Sequence, residues 1–222
     1  MMIIIIAAAK SPKSLLCNKE KGPPMLIPEL TKTRAVIDAM LGDAAFLNTV
    51  EAIAHVGVDV LKNGKKIMFC GNGGSAADAQ HLAAELVSRL CYDRPGLNAV
   101  ALTTDTSALT AIGNDYGYDR VFARQVEAIG QAGDLLIGIS TSGRSQNVLA
   151  AIHAAKAKGI LTVGFLGQDG RDIGALVDHS VNIPSGETPK IQEGHIMIGH
   201  IICAMIEEEI FGAEYNPKRK TA

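Results

Sequence analysis

The sequence predicts an α/β fold: a doubly wound parallel sheet flanked by helices, with an N-terminal helix and a long C-terminal one. Three observations carry this. Short apolar runs of strand length alternate with helical patterns from residue 67 onward. Two of those runs lead straight into glycine- or hydroxyl-rich chain that opens the next helix, as βα turns of such sheets do. The 222 residues are 47% apolar and 20% charged, enough to bury the core of one domain.

Residues 1–27 read as a flexible tail, because Ser11-Pro12-Lys13, the charges from Lys19 to Lys21 and Pro23-Pro24 break every periodicity. The isoleucines at positions 3–6 fall far short of the roughly 20 residues of a membrane span. Lys10 follows them, whereas a signal peptide carries its basic residues first. From about residue 30 to 63, Val36, Met40, Phe46, Val50, Ile53, Val56 and Val60 recur mostly at helical steps, with a break at Gly42 and a stop at Asn63-Gly64. A strand at 67–70 follows, then a helix to about 89, a strand at 99–103, helices within 107–129 and a strand at 135–140. A helix to about 158, a strand at 161–165, a short helix at 172–177, a strand at 180–183 and a final helix at 188–210 complete the pattern. The domain so delimited covers 28–213, with 214–222 as a C-terminal tail.

Composition narrows the function. A formal charge of −2, 4% aromatic residues and no tryptophan give no sequence-wide pull toward nucleic acid, no base-stacking platform and no membrane belt. Neither nucleic acid nor membrane is expected as a partner. Cys17, Cys70, Cys91 and Cys203 are widely spaced without a C-x-x-C pair, which argues against a disulfide framework and fits a cytoplasmic protein.

Ligands of doubly wound sheets gather at the carboxyl ends of strands, and two strand exits are unusual. Cys70-Gly71-Asn72-Gly73-Gly74-Ser75 joins strand to helix with glycines that let N–H groups approach an anion. It matches neither G-x-G-x-x-G nor the Walker pattern, and an ordinary tight βα turn would look similar. Ser140-Thr141-Ser142-Gly143-Arg144-Ser145 offers four hydroxyls at a helix start. One hydroxyl suffices for a cap, so the surplus favours a phosphate.

The groups able to do chemistry lie on helices. His81 and Glu85, four apart, share a helix face, with Arg89 one step further. That spacing suits metal ligation or acid–base work, and also a plain surface contact. The last helix carries Gln192, Glu193, His195 and His200; an isolated histidine among apolar residues is commonly a core residue. Gln192 lies roughly 80° round the helix from His200, so spacing alone does not pair them.

The run from Cys70 to Ser75 with Ala79-Gln80-His81-Leu82-Ala83-Ala84-Glu85, the run Gly138-Ile139-Ser140-Thr141-Ser142-Gly143-Arg144-Ser145-Gln146-Asn147, and Ile191-Gln192-Glu193-Gly194-His195 together closely resemble the phosphoheptose isomerases of the sugar isomerase (SIS) domain family. The resemblance spans about residues 30–212. It implies an SIS-type αβα sandwich and an aldose–ketose isomerase, an intramolecular oxidoreductase converting sedoheptulose 7-phosphate to D-glycero-D-manno-heptose 7-phosphate for heptose and lipopolysaccharide core biosynthesis. Carried over residue by residue, it implies phosphate and sugar contacts at Asn72, Gly73, Gly74, Ser75, Asp105, Ser140, Thr141, Ser142, Ser145 and Gln192. It implies proton transfer by Glu85 and His200. One zinc ion per subunit would sit on His81, Glu85, Gln192 and His200, in a homotetramer with sites at subunit interfaces. Two rivals share the fold: a non-enzymatic protein that binds the replication initiator, and a sugar-phosphate sensor. The initiator-binding relatives lack the carboxylate at position 85 and the histidine at position 200, and this chain has both. The Glu85, Gln192 and His200 set argues against a sensor. A Rossmann dehydrogenase is disfavoured by the glycine spacing.

Overall fold

The computed structural model describes residues 24–219; the readings made for residues 1–23, with Cys17, and for 220–222 lie outside the described residues. Strands β1 (Ile67–Gly71), β2 (Ala99–Ala101), β3 (Leu135–Ser140), β4 (Leu161–Gly167) and β5 (His179–Ile183) form one parallel sheet in the order β2-β1-β3-β4-β5. Helices α1 (Leu26–Leu41) and α2 (Ala44–Lys62) precede it, and α3 (Gly74–Val87) joins β1 to β2. Helix α4 (Thr106–Tyr116), a 3-10 turn (Tyr118–Arg120) and α5 (Ala123–Ile129) lead to β3. Helices α6 (Gln146–Ala157) and α7 (Arg171–Gly174) link the remaining strands, and α8 (Thr188–Tyr215) closes the described chain.

Period-two alternation builds the two cores. Ile67 and Phe69 of β1, Ile137 and Ile139 of β3 and Phe165 of β4 face a layer built from α2, α3 and α8, with Ile53, Leu82, Leu86, Ile198, Ile202 and Ile206 buried against them. Met68, Cys70, Leu136 and Leu166 point the other way, onto Phe122 just before α5, Val126 of α5 and Val148 and Ile152 of α6. By length and composition α2 could cross a membrane. Its Val50, Ile53, Ala54, Val58 and Val60 are instead buried in the first core. The break expected at Gly42 is real: Asp43 caps α2, its Oδ1 accepting from the N–H groups of Ala45 and Phe46 at 2.9 and 3.1 Å.

Some boundaries differ from the sequence reading. The second strand stops at Ala101, where Thr104 Oγ1 folds back to donate to the Ala101 carbonyl at 3.0 Å. Helix α8 runs five residues past position 210. Helix α3 ends at Val87, so Arg89 lies beyond it and does not extend the His81–Glu85 face as expected. The cause is Arg94, whose guanidinium donates to the carbonyls of Glu85 and Leu86 at 2.8 and 2.7 Å. Those are the oxygens that the N–H groups of residues 89 and 90 would take in a continuing helix.

The strand order reverses direction between β1 and β3: the chain leaves β1 toward β2 on one side and passes from β3 to β4 on the other. In doubly wound sheets that crevice is where ligands bind, and it is where both unusual strand exits open.

Candidate active site

Strands β1 and β3 pair in register, Gly71 beside Ile139, so their exits emerge side by side. A reciprocal amide pair joins them: Asn72 Nδ2 donates to Asn147 Oδ1, and Asn147 Nδ2 to Asn72 Oδ1, both at 2.8 Å. The Tyr118 hydroxyl adds a donor to Asn72 Oδ1 at 3.3 Å. Asn72 therefore ties the two loops together, whatever else it touches.

The hydroxyl loop does not spend its side chains on capping. Ser145 stands at the N-cap of α6 but makes no side-chain cap bond. Its Oγ lies 2.9 Å from Ser140 Oγ, and Ser142 Oγ lies 3.4 Å from the same atom. Three hydroxyls thus gather at a helix start with uncapped N–H groups, an arrangement suited to phosphate oxygens. Gly143 turns the loop with φ +64, and a Cβ there would come within 2.5 Å of the Gly170 carbonyl, so only glycine fits. Thr141 and Ser142 also line a cavity of about 260 Å³ shared with Arg144, Gln168, Arg171, Ser185 and Thr188.

At the other exit Gly73 precedes α3 with no side-chain cap, and Ser75 is buried against Gly71. A Cβ on Gly74 would collide with the side-chain amide of Gln192. Glycine at that position lets the amide from α8 lie over the start of α3. Helix packing thus brings Gln192 to the first exit, a placement that helical spacing on α8 alone does not indicate. Asp105 caps α4, its Oδ1 accepting from the N–H of Ala108 at 2.9 Å, and is exposed.

Helices α3 and α8 meet at the reactive groups. His81 Nε2 lies 3.1 Å from Glu85 Oε1 and 2.8 Å from His200 Nε2. Donor atoms of His81, Glu85 and His200 all lie within 4.8 Å of one another. His81 Nε2 faces both partners, so its single proton or lone pair cannot satisfy both. Two imidazole nitrogens and a carboxylate oxygen converging in this way form a donor set that suits zinc, so the residues present fit a metal. Asp78, three residues before His81 on α3, has a buried Oδ2 without a hydrogen-bond partner. Burial pushes its carboxyl above the usual range, while His81 and His200 pull the other way.

Two further polar residues of α8, His195 and Glu193, are engaged in packing contacts. His195 is fully buried and its Nε2–H donates to the Leu166 carbonyl at 3.0 Å. Glu193 accepts from Thr33 Oγ1 at 2.7 Å and from Lys190 at 3.0 Å, joining α8 to α1.

Residues 34–167 match the profile of the SIS domain. Phosphoheptose isomerase from Burkholderia pseudomallei is 55% identical over 185 residues, 83% of this chain and 94% of the relative. The chain belongs to the phosphoheptose isomerase family. Phosphoheptose isomerase from Neisseria gonorrhoeae, a solved structure 43% identical to the chain, has a TM-score of 0.78 and covers 83% of this chain and 97% of its own. The sugar isomerase domain of an RpiR transcription factor from Sphaerobacter thermophilus, at 18% identity and TM-score 0.59, shares the fold alone.

Sequence reasoning about this phosphoheptose isomerase family member missed Asp78, Asn147 and Tyr118 as neighbours of the site. Asp78 was within reach of it: its three-residue spacing from His81 places it on the same helix face. Tyr118 carries no such signal, because its contact with Asn72 spans 46 residues.

Proposed function

We propose that the chain is a phosphoheptose isomerase, interconverting sedoheptulose 7-phosphate and D-glycero-D-manno-heptose 7-phosphate at the entry to heptose and lipopolysaccharide core biosynthesis. The observation that carries the reading is the convergence of Glu85 and His200, from different helices, on His81 where α3 packs against α8. A protein that only binds a partner or senses a sugar phosphate needs the anion loop but has no use for that convergence.

The phosphate is held by Ser140, Ser142 and Ser145 with the first N–H groups of α6, and Thr141 walls the loop. Gln192, Ser75, Asp105 and the Asn72–Gly74 turn contact the sugar. Anchoring the phosphate end holds the reacting carbons in place, which supplies effective concentration. Glu85 takes the proton from C1 of the ketose to form an enediol and returns a proton to C2, leaving an aldehyde at C1. His200 moves the proton between the two hydroxyl oxygens. Zinc, one per subunit, would be held by His81, Glu85, Gln192 and His200, and would supply positive charge to steady the developing oxyanion. Glu85 presents Oε1 to His81, which leaves Oε2 for the substrate proton.

The working unit is a homotetramer in the cytoplasm with sites at subunit interfaces. In support, Ile201, beside His200, is 42% exposed on a groove that α8 forms with Ala54 and Val58 of α2. Cys70, Cys91 and Cys203 are free thiols, as suits a reducing compartment. The test is to incubate the purified protein with sedoheptulose 7-phosphate in D2O and follow the aldose by NMR. Aldose carrying deuterium at C2 supports the enediol route; failure to form aldose contradicts the reading.

A further inference from the structure

We propose that the buried pair Arg94–Glu207 is a positioning device for the proton-transfer residues, an inference that rests on the isomerase reading above. Arg94 Nε lies 2.9 Å from Glu207 Oε1, and both side chains are 0% exposed. The guanidinium also donates to the carbonyls of Glu85, Leu86, Ser88 and Pro95 at 2.8, 2.7, 2.9 and 3.0 Å. The Glu207 carboxylate in turn takes the N–H groups of Leu90 and Cys91 at 3.0 and 2.7 Å.

These bonds join the two helices that carry the reactive groups. Arg94 grips the backbone of Glu85 itself and stops α3 two residues later. Glu207 is seven residues from His200 on α8, two turns along the same stripe. One bridge therefore sets the end of α3 that presents Glu85 against the face of α8 that presents His200. Stability alone does not call for it, since a buried ion pair is commonly no better than apolar residues of the same volume. What apolar side chains cannot do is hold the Glu85 carbonyl and the 88–91 backbone in one defined place. Misplacement of a catalytic group by about 1 Å costs roughly a hundredfold in rate, so this definition bears directly on turnover.

Two variants test the proposal, assayed beside the wild-type protein with zinc in excess. Arg94→Met/Glu207→Leu removes both charges together, which avoids stranding one in the core. Arg94→Lys keeps a cation for Glu207 but loses the planar fork that reaches Glu85 and Leu86. The expected result is that the double variant melts cooperatively within a few degrees of wild type, while its kcat falls about a hundredfold and its KM changes less than about threefold. Arg94→Lys is expected to lose about tenfold in kcat with the same KM. Wild-type kcat in a folded double variant overturns the proposal. If the double variant does not fold, wild-type kcat in Arg94→Lys overturns it, as does a kcat loss that disappears well below the melting temperature. An inactive wild-type protein overturns the isomerase reading and this inference with it; active wild type with unimpaired variants removes only the inference.

Discussion

His81 and His200, 119 positions apart in sequence, face each other through their Nε2 atoms at 2.8 Å, with ring centroids 4.9 Å apart at an interplanar angle of 74°. Glu85 Oε1 approaches the same His81 nitrogen at 3.1 Å. A cation placed among these atoms satisfies lone pairs that hydrogen bonding alone leaves in competition. Added zinc is therefore expected to raise the thermal transition, by about 2.7 kcal/mol of stability at a hundredfold excess over its dissociation constant. His81→Ala and His200→Ala are expected to abolish most of that shift. Differential scanning fluorimetry with and without zinc checks this, and an equal shift in the variants would remove the metal assignment.

Glu85→Gln keeps the side-chain volume and removes the base. Its kcat is expected to fall by at least about a thousandfold. Substrate binding, measured by calorimetry, is expected to stay within about tenfold, because the hydroxyl loop is untouched. Near-wild-type turnover would sink the role assigned to Glu85.

Ser145 separates binding from folding. Its hydroxyl faces Ser140 rather than capping α6, so Ser145→Ala is expected to leave the melting temperature within a degree or two. Loss of one hydrogen bond to a phosphate, about 1.5–3 kcal/mol, is expected to raise KM by about tenfold or more. Asp43→Ala is the contrasting variant, since Asp43 does cap its helix: about 1 kcal/mol of stability is lost, with KM unchanged. A drop in melting temperature for Ser145→Ala equal to that of Asp43→Ala would show that Ser145 serves the helix.

His195 gives the stability a pH dependence of predictable sign. Burial pushes its pKa down from 6.5 to about 4, and the bond to the Leu166 carbonyl offsets this only in part. Above pH 6.5 the imidazole is neutral in both folded and unfolded chains, and its contribution is fully present. Between pH 6.5 and about 4 the unfolded chain takes up a proton that the folded one refuses. This group then removes stability by up to about 1.4 kcal/mol per pH unit of acidification. Denaturant melts of wild type and His195→Gln across that window check it; parallel curves for the two would contradict the assignment.

The fold was legible because β1, β3 and most of β4 are buried, largely apolar runs and the α1–α2 break carries its own cap, Asp43, beside Gly42. Two kinds of feature were not legible. Helix ends depend on distant partners: α3 stops where it does because Arg94 replaces its next hydrogen-bond donors, and nothing between 81 and 89 announces that. Pairings between helices are equally silent in one-dimensional spacing. Single-helix geometry sets Gln192 apart from His200, and only the glycine at position 74 allows the Gln192 amide over the start of α3. His195 and His200 look alike in sequence, each a histidine among apolar residues. Packing sends one into the core against Leu166 and the other to His81.

The most direct test of the account is turnover of sedoheptulose 7-phosphate by purified protein stripped with a chelator and then resupplied with zinc. The account predicts heptose 7-phosphate formation that is lost on stripping and restored by zinc. Absence of conversion in every condition, from a protein that melts cooperatively, would contradict it.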